Sequence, residues 1–149
     1  MTSLAGQEVW VTCCARLDRL DPNVRPKWGR MTAHQMICHL SDSFQVGLGE
    51  RQASPAPVPI PRGVYKWIAL RTPFRWPRGV PTRPEVEQGV GGTPPGEWGQ
   101  DLARLRETVL TFASRCRAGE HPIFGRMTVE DWQIWGYRHL DHHLRQFGV

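Results

Sequence analysis

The sequence has no apolar run of the roughly 20 residues that a membrane-crossing helix takes. Its first residues lack a basic stretch followed by an apolar one, so no secretory signal is expected there. The four cysteines, Cys13, Cys14, Cys38 and Cys116, form no CxxC pair and no regular spacing. That argues against a disulfide framework and for reduced thiols in a cytoplasmic protein. Acidic residues are missing altogether between positions 51 and 84, where Arg51, Arg62, Lys66, Arg71, Arg75, Arg78 and Arg83 lie. Of the net charge of +5, this segment carries +7 and leaves −2 for the remainder. The basicity is therefore local and does not describe a general nucleic-acid binder. Its aromatic residues offer stacking surfaces, yet no nucleic-acid motif accompanies them. Its prolines interrupt any long amphipathic helix of the kind that lies on anionic lipid.

What is present is a chain of 149 residues with ordinary hydrophobic content and seven tryptophans. That length is enough for a real core and fits a single domain over 1–149. Ser3 to Leu20 reads as a first helix, with Ser3 as its cap and Asp21-Pro22 as its stop. Thr32-Ala33-His34-Gln35 has the capping-box pattern and opens a second helix, with Ile37, Leu40, Phe44 and Leu48 on its core stripe. His39 lies on the flank of that stripe, and Asp42 is placed to orient its ring. His34 reads as a solvent-facing histidine on another face. A third long helix covers Glu97 to Arg117, and a fourth covers Thr128 to Phe147. Between the second and third long helices runs a basic, Pro-rich insert over 51–96, in which only Val64 to Arg71 suits a short helix. Its aromatics Tyr65, Trp67, Phe74 and Trp76 argue that it packs on the body as a lid. The expected fold is all-α, a four-helix bundle with this insert as its long crossover. The short loop through His121-Pro122 makes His121 a structural histidine.

The last helix carries the chemistry. A helix advances about 100° per residue, so His139 and His143 lie one turn apart on one face, shared with Val129, Trp132, Trp135, Leu140 and Phe147. Buried imidazoles are costly unless their nitrogens are satisfied. A divalent metal does this, and so do hydrogen bonds to carbonyls or between the two rings. The string Gly-Arg-Met-Thr occurs twice, at 29–32 and at 125–128, opening the second and the last long helix. Counted from these caps, His39, His139 and His143 occur at steps of four, at comparable angular positions. Cys38 is next to His39, but helix neighbours diverge by about 100°, so the two are not a nucleophile pair and Cys38 reads as a buried thiol.

Trp28-Gly29-Arg30-Met31-Thr32 leading to Cys38-His39-Leu40, together with His139-Leu-Asp-His142-His143-Leu-Arg-Gln146, resembles the DinB-like (DinB/YfiT) superfamily of bacterial metalloproteins, in a branch known only as a domain of unknown function. The resemblance covers most of the chain. It implies a divalent metal, zinc, nickel, iron or manganese, held by His39, His139 and His143, with Gln146 matching the glutamine that follows the histidine pair. It also implies an activity in which the metal activates a thiol or water, as in transferases that use low-molecular-weight thiols such as bacillithiol or mycothiol. Arg62, Lys66, Arg71 and Arg75 are then candidates for binding an anionic thiol. The expected partner is a small-molecule substrate, a homodimer is compatible with it, and neither nucleic acid nor membrane is expected. A metal-binding stress protein without turnover and a metal hydrolase are the other readings. The long basic insert departs from the family pattern, so activities of relatives carry over poorly.

Overall fold

The computed structural model describes all residues from Met1 to Val149. The chain is mostly helical. Its elements are α1 (Gln7–Asp18), α2 (Ala33–Leu48), α3 (Arg62–Arg71), a 3-10 turn (Pro84–Val86), α4 (Trp98–Arg115), β1 (Gly119–His121), β2 (Gly125–Met127) and α5 (Val129–Gln146). No helix is long and apolar enough to cross a membrane.

Both site-bearing helices begin in the same way. The Thr32 hydroxyl accepts the Gln35 amide at 3.1 Å while the Gln35 side chain accepts the Thr32 amide at 2.9 Å. At α5 the Thr128 hydroxyl and the Asp131 carboxylate repeat the exchange, both at 3.1 Å. Each box pairs two donors that a helix start otherwise leaves without partners. Three residues earlier, Gly29 and Gly125 sit at φ of 79° and 69°, a conformation that a side chain disfavours. The two Gly-Arg-Met-Thr strings thus turn the chain into their helices by the same local device.

One continuous apolar cluster draws on all five helices and β2. α2 packs most extensively on α4, and also on α5. Phe44, Phe112 and Trp132 are sealed between these helices, and burial of each such side chain contributes about 1.5–3 kcal/mol. Val129, expected on the buried stripe of α5, is 47% exposed.

Three further expectations are corrected. α1 starts at Gln7 behind Gly6, not at Ser3, because the Leu4 amide donates to the Gln133 carbonyl at 3.1 Å and ties this end to α5. The segment read as a loop before the last helix is an antiparallel hairpin, Gly119 opposite Met127 and His121 opposite Gly125. In the crossover, Trp67 and Phe74 are 60% and 70% exposed, so they do not pack on the body. Tyr65 and Trp76 do, and the Trp76 indole donates to the Ala69 carbonyl at 2.8 Å. The crossover is pinned at several other points. Arg138 donates to the Thr72 and Phe74 carbonyls, the Ala56 amide bonds the Pro122 carbonyl, and Thr93 donates through both its amide and its hydroxyl to Asp42.

Gly136 on α5 marks a close helix contact. A Cβ there would meet Leu4 Cδ1 at 2.7 Å and Phe112 Cε1 at 2.8 Å. Overpacking of this kind costs about 1–3 kcal/mol. Gly136→Val is therefore expected to lower the unfolding free energy measured in a urea titration by about that amount, whereas Gly63→Val, where a Cβ meets nothing within 4 Å, is expected to leave the core intact.

Candidate metal centre

His39 on α2 and His139 and His143 on α5 converge at the floor of a cavity of about 790 Å³. His39 Nε2 lies 3.4 Å from His139 Nε2, and His143 Nε2 lies 3.2 Å from the same atom. Two nitrogens bound to one ion at about 2.0–2.1 Å and a tetrahedral angle are about 3.3 Å apart. These two spacings therefore match a shared ion, and the three donor atoms all lie within 4.8 Å of one another.

The far sides of the rings decide what the near sides offer. His39 Nδ1 faces the Val86 carbonyl at 2.9 Å. A carbonyl only accepts, so Nδ1 carries the hydrogen and Nε2 is bare. His143 Nδ1 faces the Gln146 side-chain oxygen at 2.8 Å, and the Gln146 nitrogen donates to the Trp28 carbonyl at 2.8 Å. The Trp28 carbonyl fixes which end of the amide is oxygen, so His143 Nδ1 must donate and its Nε2 is bare as well. His139 Nδ1 is buried without a partner. If the His139 Nε2 carries a proton, that proton serves at most one of the two bare neighbours. Packing lone pairs against one another is unfavourable, and a cation satisfies all three together. Burial holds the pKa of all three rings down, and the neighbouring histidines depress His139 and His143 further, both well below the usual value. Neutral imidazole is the form that ligates metal.

A second group, His34, Cys38 and Asp101, also brings ligand atoms together. Here the positions are already filled. Asp101 pairs with His34 at 2.7 Å, with Arg104 at 2.9 Å and with the Gly96 amide at 2.8 Å, so the positive charge is already supplied. Burial, then the Asp101 charge, pushes the Cys38 thiol up to about 12. His34 is thus half-buried against Asp101, not a solvent-facing histidine. Cys38 is buried, as expected.

Asp42 does not orient His39. It is engaged by Thr93 and Arg51, and the Val86 carbonyl takes the His39 hydrogen instead. His121 is buried, accepts the Ile123 and Phe124 amides on Nδ1, and stacks on Phe124, with its pKa pushed down to about 3 by burial. His142 lines the cavity between Trp28 and Trp76. Of the four cations proposed from sequence, only Arg75 lines the cavity. Arg62 donates to the Ala56 carbonyl, Lys66 to the Arg126 carbonyl and Asp131, and Arg71 to Glu130 and Asp131. Burial raises the Asp131 pKa, but the Thr128 amide, Lys66 and Arg71 outweigh it and hold the carboxyl at about 2. Sequence reading missed Val86, whose contribution is a backbone carbonyl and so leaves no side-chain signature. It also missed Arg30, which opens the second helix and lines the cavity.

The model of the DinB superfamily matches residues 6–147, nearly the whole chain. The chain belongs to the DinB superfamily. No curated protein and no solved structure matches it. Within this DinB superfamily chain the three histidines form a group that can hold a metal, and the glutamine of the motif has a physical task, since Gln146 fixes the tautomer of His143.

The depressed histidines set a pH dependence for the metal-free protein. Below about pH 6.5 the unfolded chain protonates its histidines while the folded chain keeps His39, His121, His139 and His143 neutral. The unfolded state then binds more protons, so stability falls as pH falls, by up to about 1.4 kcal/mol per pH unit for each such histidine. Denaturation midpoints measured from pH 7.5 to 4.5 are expected to drop steadily below pH 6.5. A flat profile there is the contrary result.

Proposed function

We propose that this protein is a metal-dependent enzyme in which His39, His139 and His143 hold one divalent ion, and that α1, α2, α4 and α5 act as a four-helix bundle carrying the site. Three neutral imidazoles facing one another at the base of a large cavity, two of them with a bare Nε2, carry this reading. Nitrogen donors alone suit zinc, nickel, iron or manganese. A bound ion of this kind lowers the pKa of a thiol or a water and makes it a nucleophile near neutral pH.

The chain's own residues do the rest. Val86 and Gln146 hold two imidazoles in the tautomer that points Nε2 inward. Trp76 and Trp135 flank His139, with ring centroids 6.0 Å and 4.9 Å from it, and keep that side of the site apolar. Three protein donors leave room for a further ligand, which separates a catalytic site from a closed structural one. The cavity supports that distinction, because a purely structural ion needs no such space above it. Among substrate classes we favour transfer to or from a low-molecular-weight thiol.

Elemental analysis of the purified protein is expected to give about one metal per chain. His143→Ala removes a ligand, and its affinity is expected to fall by at least the 10–100-fold seen for the loss of mere supporting contacts. Unchanged metal content in that variant contradicts the assignment. The metal-replete protein is then screened for consumption of thiols with electrophiles. Turnover of esters or amides without thiol indicates hydrolysis instead, and no turnover with either indicates a binding protein.

A further inference from the structure

The cavity above the histidines is far larger than a bound water or a small electrophile requires, and it lies within the range of about 300–1,000 Å³ of sites for drug-sized ligands. Its walls are aromatic from floor to rim. Trp76 faces His139 at 6.0 Å, His142 at 6.1 Å and Phe124 at 6.3 Å between ring centroids, and Trp28 meets the other side of His142 at 5.6 Å. Flat rings held in this way favour a flat, ring-bearing guest through offset and edge contacts. The mouth continues the same chemistry. Ile68, Phe74 and Val80 line it while remaining 39%, 70% and 45% exposed. Large apolar side chains left in water at a cavity mouth mark a place where something apolar covers them.

The rim is also predominantly cationic. Arg30 and Arg75 line the cavity, are exposed and have no carboxylate paired to them. Arg83 is engaged by Ser54, and Glu87 is the sole carboxylate in the lining. Arg78 places its guanidinium 4.4 Å from the centre of the Trp28 ring, which adds positive charge behind that wall. Cationic ligands are repelled by such a rim, and anionic ones are steered to it.

We infer that the cavity binds a ring-bearing organic anion, an aromatic carboxylate, sulfonate or phosphate, with its rings among Trp28, Trp76 and Phe124 and its anionic group at Arg30 and Arg75. This anion is the second substrate of the reaction proposed above. The inference rests on that reading only for which end of the ligand meets the histidines, and binding itself is testable without it.

The test uses the full chain and two fluorescent probes, the anionic 8-anilinonaphthalene-1-sulfonate and its uncharged analogue N-phenyl-1-naphthylamine. The sulfonate is expected to bind saturably at one site per chain. Loss of the two rim cations is expected to weaken it about tenfold in Arg30→Gln/Arg75→Gln while the uncharged probe shifts less than about twofold. Trp76→Ala is expected to weaken both probes. Trp67→Ala, on an exposed side chain outside the cavity, is expected to change neither. Full sulfonate affinity in the arginine variant overturns the inference, and so does its loss in Trp67→Ala, which would put the probe on the outer face of α3. Metal content is measured on the same samples. Metal present without sulfonate binding removes the ligand class and leaves the metal site standing. Sulfonate binding by protein that takes up no metal removes the metal site and leaves the ligand class standing.

Discussion

Two hydrogen bonds on the outer edges of the imidazoles govern the site. Val86 and Gln146 each accept an Nδ1 hydrogen, and so each turns a bare Nε2 toward His139. In water such lone pairs would be solvated, but here the rings are enclosed and their charged forms suppressed. A group of acceptors with too few donors is unstable by itself and becomes stable when a cation enters. The Gln146 amide cannot flip to relieve it, because its nitrogen already donates to the Trp28 carbonyl. The restraint thus reaches from the end of α5 to the loop that opens α2.

The fold serves this arrangement from both sides. Capping boxes at Thr32 and Thr128 start the two ligand-bearing helices, and tight packing around Gly136 brings α5 against its neighbours. The crossover brings the Val86 carbonyl to His39 and Trp76 to His139, so one segment supplies both a hydrogen-bond acceptor and a wall. Its basic residues divide into two groups. Lys66 and Arg71 fasten α3 to the acidic start of α5, and Arg75 is left at the cavity rim. Much of the +7 segment is therefore mortar between elements, and a smaller part of it is available to a ligand.

Features set by short sequence range were readable before the structure. The 3,4-spacing of apolar residues located α2, α4 and α5, the caps at Thr32 and Thr128 were evident, and the four-residue step of His139 and His143 put them on one face. The superfamily was legible from the same residues and is borne out by the match over residues 6–147. What was not legible depends on partners distant along the chain. The spacing of Asp42 suggested a contact with His39, yet Thr93 and Arg51 take its oxygens. His34 read as a surface residue because Asp101, 67 positions away, cannot be foreseen from its neighbours. The hairpin before α5 has only three residues in each strand, too few to show alternation. The aromatic content of the crossover signalled burial in general but could not separate Trp76, which is packed, from Trp67 and Phe74, which are not.

The tautomers of His39 and His143 are the central physical claim, and nitrogen-detected NMR of the imidazoles in metal-free protein near pH 7 reads them directly. The expected spectrum shows both rings neutral, with the hydrogen on Nδ1 and a bare Nε2, and shows the Nε2 signals moving when one equivalent of zinc is added. Rings protonated on Nε2, or imidazolium signals at that pH, would contradict it.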